Sequence, residues 1–310
     1  MTIAILCSGQ GTQHRDMFAL TADAPQAQPV FAAATKALGE DPRDFAREAD
    51  EAAPHANRAG QILCVTQALA AFAALREALE APGVDLAVAG YSIGELAACA
   101  LAGMLAPQPA LELAARRAAL MDAAGGADGG LSFVRGLPRA KIDALCARFD
   151  ANVAIVNPGL TFVVGGARVA LPELCAAALA EGAAKAGALK VSVASHTPRL
   201  AAASEGFAQA LAAQDMARPR AGVRLFSGID AARVFTPAQA REKLSRQISQ
   251  TIDWAGCLVA CVEAGATRFL ELGPGHALAA MAADLAGGAS ARALEDFRTL
   301  EGARDWLSAP

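Results

Sequence analysis

The sequence predicts an α/β protein: a parallel sheet with helices on both faces, interrupted by a smaller α+β unit. Three observations carry this. Short apolar runs alternate with helical patterns from the N-terminus onward. A glycine-flanked serine stands between one such run and a helix. After a glycine-rich stretch near residue 125, strands and helices follow in a different order.

Residues 3–8 read as a buried strand. It runs into Ser8-Gly9-Gln10-Gly11-Thr12-Gln13-His14. In open α/β sheets ligands bind outside the carboxyl ends of the strands. The turn therefore reads either as a plain connection or as one that aims the N–H of Gln10 into a site. It is no phosphate loop, because the Lys-Ser/Thr pair is missing. Residues 26–60 are polar, with short helical patterns, and His55 is expected in solvent there. Ile62 to Leu79 is an apolar helix with Gln67 in mid-course, ended by Pro82-Gly83.

Leu86-Ala87-Val88-Ala89 is a strand, and Glu95 to Leu101 a helix. Gly90-Tyr91-Ser92-Ile93-Gly94 joins them. Strand, tight turn and helix are the setting of a G-x-S-x-G nucleophile elbow. The glycines let the two backbones approach closely. The N–H of Ile93 then faces whatever Ser92 attacks, and the helix dipole favours negative charge there.

Pro107 to Met121 is the next helix. It carries Arg116 and Arg117 near its end, where arginines commonly serve as dipole partners. Gly125 to Gly130 reads as a linker. Strand 131–135, helix 138–149, strands 152–156 and 162–164, helix 171–186 and strand 188–193 follow. That β-α-β-β-α-β order is a ferredoxin-like split unit. Residues 125–193 are thus expected as a small subdomain inserted into a large α/β domain of residues 1–124 and 194–310. His196 would sit at a strand end at the domain junction, before a helix near 199–213. A strand at 223–227, helices at 242–252 and 255–264, a strand at 269–272 and a helix from His276 to about 285 complete the pattern, with a helical tail.

The chain has 310 residues, 54% of them hydrophobic and 19% charged, with net charge −4. Without a basic block it lacks the electrostatic footprint of nucleic-acid binding or of a polybasic membrane contact. Met1 to Cys7 has no basic flank and reads as a strand rather than a signal peptide. No uninterrupted apolar run reaches membrane-spanning length. The seven cysteines are odd in number and form no C-x-x-C. They read as buried, reduced thiols of a cytoplasmic protein. No His/Cys/Asp cluster has metal-ligand spacing, so no metal is expected.

A serine on an elbow needs a base, and there are four histidines: His14, His55, His196 and His276. His196 is best by position, while His14 and His276 beside glycine turns stay open. Asp253, or a backbone carbonyl near it, would orient the base. The generic chemistry is acyl transfer through an acyl-serine, to water in a hydrolase or to a thiol in a transacylase.

Five motifs in order narrow this. They are Ser8-Gly9-Gln10-Gly11-Thr12-Gln13, Gly90-Tyr91-Ser92-Ile93-Gly94-Glu95, Arg117 with Leu120-Met121, Ser195-His196-Thr197-Pro198 and Glu271-Leu272-Gly273-Pro274-Gly275. From residue 3 to about 285 the chain resembles the malonyl-CoA:acyl carrier protein transacylase family. The resemblance implies an α/β-hydrolase-like core with a ferredoxin-like insert. It implies Ser92 as nucleophile, His196 as general base, the N–H groups of Gln10 and Ile93 as oxyanion hole, and Arg117 as the clamp on the malonate carboxylate. Malonyl-CoA would be the substrate, with no separate cofactor, and an acyl carrier protein the partner.

Tyr91 stands at the substrate where that family usually has His, and Ser8 where Pro is common. Asp253 falls where the family has Gln, whose backbone carbonyl orients the histidine. The family's Asn-x-Asn-x-Pro pattern survives only as Asn157-Pro158. The opening Cys7–His14 and the Gly-Tyr-Ser elbow look most like the branch that serves malonate decarboxylase. There the acceptor carries a phosphoribosyl-dephospho-CoA arm, and other decarboxylase subunits are partners. Transfer for fatty acid synthesis is the alternative. A buried guanidinium at Arg117 would separate either transacylase from an esterase for neutral acyl chains.

Overall fold

The computed structural model describes residues 1–125, 128–285 and 289–309. In chain order the strands are β1 (Thr2–Cys7), β2 (Asp85–Gly90), β3 (Gly129–Arg135), β4 (Ala151–Asn157), β5 (Thr161–Ala167), β6 (Lys185–Ala188), β7 (Val223–Phe226), β8 (Arg233–Val234), β9 (Ile252–Asp253), β10 (Ala266–Glu271) and β11 (Ser290–Ala293). They form two sheets, ordered β11-β10-β1-β2-β7-β8 and β6-β3-β5-β4-β9.

The large sheet is parallel except for the short β8 at its edge. β1 lies between β10 and β2, so the loops that follow these three strands emerge at one edge. Those loops are Ser8–His14, the Ser92 elbow and Gly273–Gly275. Both faces of the sheet are buried, and the side chains alternate between them. Ile3, Ile5, Cys7, Leu86 and Val88 pack under the helices Gln28–Leu38, Asn57–Leu79, Gly94–Leu101 and Pro107–Gly125. Ala4, Leu6, Ala87 and Ala89 face the other way, toward Trp254, Cys257 and Leu258. Their small size lets that second layer close in on the sheet.

The second sheet has the predicted antiparallel arrangement of a split β-α-β-β-α-β unit in β6-β3-β5-β4. The sequence reading did not foresee its fifth strand, β9, which pairs parallel to β4 through Ile155 and Val156. One face of this sheet builds its own core from Val134, Phe162, Val164, Ile142 and Leu174. The other face, through Leu131, Ala154, Ile155 and Val163, joins the core of the large sheet.

Several boundaries differ from expectation. The helix that begins at Pro107 runs on to Gly125, so Arg117 lies in its middle and is no dipole partner at its end. Of the expected linker, Gly126 and Ala127 lie outside the described residues, while Gly129 and Gly130 are already in β3. The helix expected over 171–186 stops at Ala180, because Gly182 takes φ 98°. The strand that follows is therefore Lys185–Ala188, earlier than 188–193. The helix expected at 242–252 begins at Pro237 behind a Thr236–Gln239 capping box and ends at Arg246. The C-terminal part is not all helix: β11 adds an edge strand before the helix Leu300–Ser308.

The helix Asn57–Leu79 is long and apolar enough to span a membrane by length and composition, yet 78% of its most apolar window is buried in this fold. All seven cysteines are buried and unpaired.

The elbow depends on contact without side chains. A Cβ on Gly90 would overlap the backbone of Gly94 and Glu95, and one on Gly94 would overlap the carbonyl of Cys7. Gly90→Ala should therefore destabilise the fold by about 3 kcal/mol or more. Urea denaturation checks this; a loss below about 0.5 kcal/mol would mean strand and helix are not so close.

Candidate active site

Ser92 ends β2's connection with φ 56°, a left-handed conformation rare for residues other than glycine. Strain of this kind costs of order 1–3 kcal/mol and persists where the surrounding structure imposes it. It projects Ser92 Oγ to within 2.8 Å of His196 Nε2. Ser92 is half-buried and His196 is 1% exposed.

His196 does not sit at a strand end, as expected. It lies in the loop beyond β6, also with positive φ (62°), and its N–H donates to the carbonyl of Ile248 at 2.8 Å. Its ring Nδ1 is hydrogen-bonded to the carbonyl of Gln247. A carbonyl only accepts, so Nδ1 carries the proton and Nε2 is left to accept from the serine hydroxyl. Burial, then the charge of Arg117, pushes the imidazole down to about 3, against the opposing bond to Gln247. The base is thus held neutral.

Arg117, 2% exposed, reaches the same point. One guanidinium nitrogen donates to Gln61 Oε1 at 2.8 Å. The other donates to Gln247 Oε1 at 2.9 Å and lies 3.5 Å from Ser92 Oγ. These partners are neutral. Among the described residues no carboxylate pairs with Arg117. Burial lowers its pKa to about 10, and the nearby Glu95 opposes that. A desolvated cation with only neutral acceptors favours an incoming anion.

Gln10 follows β1 and Ile93 caps the helix after Ser92. Among the described residues neither backbone N–H has an acceptor of its own. Gly9 holds the two segments together: a Cβ there would press on the carbonyl of Tyr91 and lie 3.6 Å from Ser92 Cβ. Tyr91 stacks edge-on against Trp254 at 5.4 Å between centroids. Its hydroxyl accepts from Asn157 Nδ2 at 3.3 Å, and burial pushes it up to about 12. It is a neutral wall beside the nucleophile.

Asp253 is not part of this arrangement. Its carboxylate caps the helix Trp254–Glu263 by accepting from the N–H of Gly256 at 2.9 Å. The orienting carbonyl belongs to Gln247, six positions earlier. His14 and His276 are occupied elsewhere, with Glu295 and Asp296. His55 is only partly exposed, not solvated, and its Nδ1 is enclosed without a partner.

Three residues had no role in the sequence reading. Besides its carbonyl, Gln247 gives Nε2 to the carbonyl of Ser92 (2.9 Å) and to Glu95 Oε2 (3.0 Å). Glu95 also accepts from Ser227 Oγ at 2.8 Å, and burial lifts its carboxyl to about 7. Gln61 continues the Arg117 contact to Asn57. A polar residue inside an apolar helix was the available signal. Gln67, whose Oε1 is buried without a partner, carries that signal more plainly than Gln61, which lies less than two turns earlier at the edge of the apolar run.

The arrangement is a hydroxyl nucleophile, a neutral base with a fixed tautomer, free amides beside them and a buried cation. It suits attack on an acyl group that carries its own negative charge. An unfolded chain titrates His196 near 6.5 and the folded one near 3. Between these values only the unfolded state binds the proton, so this residue costs stability as pH falls below 6.5. Serine acylation should accordingly lose no rate to protonation of the base from about pH 8 down to about pH 5. Stopped-flow acylation against pH measures this; a fall centred near 6.5 would show an ordinary, exposed imidazole.

The model of the acyl transferase domain family matches residues 5–295. The malonyl CoA-acyl carrier protein transacylase of Mycobacterium tuberculosis is 32% identical over 300 residues, covering 96% of this chain and 98% of the relative. The crystal structure of acyl-carrier-protein S-malonyltransferase from Burkholderia pseudomallei superposes with a TM-score of 0.90 at 28% identity, covering 98% of this chain and 100% of that one. A malonyl-transacylase solved in complex with its type II PKS acyl-carrier protein superposes with a TM-score of 0.90 at 26% identity, covering 98% and 99%.

Proposed function

Since the chain belongs to the acyl transferase domain family and is an acyltransferase, we propose that it moves a malonyl group from malonyl-CoA to the thiol of a carrier protein. The observation that carries this reading is Arg117. Its buried guanidinium, with neutral acceptors only, lies 3.5 Å from the hydroxyl that would attack. Malonate supplies the missing carboxylate, one methylene away from the thioester carbonyl, and the planar fork can take both its oxygens.

Ser92 Oγ attacks the thioester carbonyl carbon while its proton passes to His196 Nε2. The carbonyl oxygen becomes an oxyanion facing the N–H groups of Gln10 and Ile93. One such donor is worth about 3–4 kcal/mol. The C–S bond then breaks, and the leaving thiolate takes the proton from His196. The acceptor thiol repeats the sequence in reverse, giving its proton to His196 and releasing Ser92.

For the acceptor, the resemblance of the Cys7–His14 opening and the Gly-Tyr-Ser elbow to the malonate decarboxylase branch favours that enzyme's carrier. The names of the relatives favour an acyl carrier protein. Incubation with labelled malonyl-CoA should leave a malonyl ester on Ser92, found by peptide mass. It should persist in buffer and discharge to a carrier thiol, faster to the decarboxylase carrier than to an acyl carrier protein. Rapid release of free malonate without any carrier would make the protein a hydrolase. Faster discharge to the acyl carrier protein would remove the decarboxylase assignment.

Arg117→Ala should lower malonyl transfer about 10²- to 10³-fold, the loss expected when a buried charge loses its partner. Acetyl transfer should hold or rise. Equal loss for both acyl groups would make Arg117 a purely structural residue.

A further inference from the structure

The loop that carries the N–H of Gln10 is gripped from the side away from Ser92. β10 lies beside β1 with Glu271 opposite Leu6, and the N–H of Leu272 donates to the carbonyl of Leu6 at 3.0 Å. The two strands therefore end level. Ser8 Oγ donates to Glu271 Oε1 at 2.6 Å. The other oxygen, Oε2, accepts at 2.8 Å from the N–H of Ala279, in the first turn of the helix Ala277–Leu285. Ser8 is 3% exposed and Glu271 1% exposed. Among the described residues no ion pair includes Glu271. A carboxylate buried without a cation is costly, and a helix N-terminus offsets only part of that. What the arrangement supplies is direction: both oxygens are bound, so the acceptor offered to Ser8 is fixed relative to the sheet.

Ser8 in turn packs on the nucleophile elbow. A Cβ on Gly94 would lie 2.8 Å from the carbonyl oxygen of Ser8. One on Gly9 would lie 2.8 Å from that of Tyr91 and 3.6 Å from Ser92 Cβ. The N–H of Tyr91 donates to the carbonyl of Cys7 at 2.9 Å. Cys7, Ser8 and Gly9 thus all touch the elbow, and Gln10 comes next. Beyond it, Thr12 Oγ1 donates to the carbonyl of Pro274 at 2.7 Å. Gln10 stands midway between Ser8 and Thr12, and both are anchored to the same segment, Glu271 to Pro274.

We propose that Glu271 is a positioning residue for the oxyanion hole: through Ser8, and together with the Thr12 anchor, it fixes the N–H of Gln10. The proposal rests on the function given above and names what holds one of the two donors in place. A backbone N–H stabilises an oxyanion only when it is aimed at the point where charge develops. Ile93 is aimed by the helix it caps. Gln10 belongs to no strand or helix and takes its aim from its neighbours. Its side chain donates to the carbonyl of Asn57 at 3.2 Å, which holds the amide group and leaves the backbone to the two anchors.

The test uses Ser8→Ala and Thr12→Val in the full chain. Assays run at about pH 8, where Glu271 is charged, since burial pushes its carboxyl up only to about 7. Ester formation on Ser92 is followed with malonyl-CoA, acetyl-CoA and dithioacetyl-CoA, in which sulfur replaces the carbonyl oxygen and accepts hydrogen bonds weakly. Removing an oxyanion donor outright costs about 10²- to 10³-fold, so a misaimed one should lower the limiting rate about tenfold in Ser8→Ala. The half-saturating concentration should stay within about twofold, and malonyl and acetyl should lose alike, because the hole serves the carbonyl they share. The gap between acetyl-CoA and dithioacetyl-CoA should narrow by about the same tenfold, since sulfur never drew fully on the hole. Thr12→Val should show the same pattern more weakly. A limiting rate that holds in folded Ser8→Ala overturns the proposal. So does a loss confined to malonyl, which would mean that Arg117 had moved, or an unchanged oxygen-to-sulfur gap, which would mean that Ser92 had. If urea denaturation shows Ser8→Ala unfolded, Thr12→Val decides on the same gap, because Thr12 is exposed. Absence of a malonyl ester in the unaltered protein would instead defeat the function on which the proposal rests.

Discussion

A positive charge buried without a negative partner is the constraint around which this structure is arranged. Removing Arg117 from water is expensive, and neutral carboxamides repay only part of that cost. Gln61 and Gln247 hold the guanidinium in place, and Glu95 acts on it from beyond them. Had Glu95 paired with it directly, the cation would be satisfied and of little use to a ligand. Interposing an amide keeps the charge buried, oriented and uncommitted.

Gln247 is where the polar contacts meet. Its carbonyl sets the tautomer of His196, its amide oxygen receives Arg117, and its amide nitrogen reaches both Ser92 and Glu95. Base, nucleophile and cation therefore share one support. Movement of the segment around Gln247 would disturb all three, which makes their positions interdependent. Burial gives the same result electrostatically: it lowers His196 and Arg117 and raises Glu95, each toward its neutral form.

Much of this was legible in the letters because local rules and the fold agree. The elbow announced itself through Gly90 and Gly94, which no other residue type could replace in that space. The β-α-β-β-α-β run behind most of the second sheet is legible in the order of its strands and helices. Arg117 emerges as a site residue only with the family pattern beside it, since a lone arginine in a helix has many ordinary roles, whereas His196 stands out by its position at the end of the second α+β segment. Asp253 was misread because position along the chain says nothing about which carbonyl turns inward. Gln247 was invisible for the same reason: its contacts arise from segments brought together by folding. β9 and β11 are short and gain their strand character from pairing, which periodicity does not reveal.

The chain enters and leaves the β3–β6 segment of the second sheet at nearly the same point. Gly129 is so close to Ala194 that a methyl group would crowd its backbone nitrogen. Asn157, at the tip of β4, holds the hydroxyl of Tyr91 beside the nucleophile. A change in the second sheet near Asn157 would therefore reshape the wall that Tyr91 forms beside Ser92, so the far sheet has a hand in which acyl group fits.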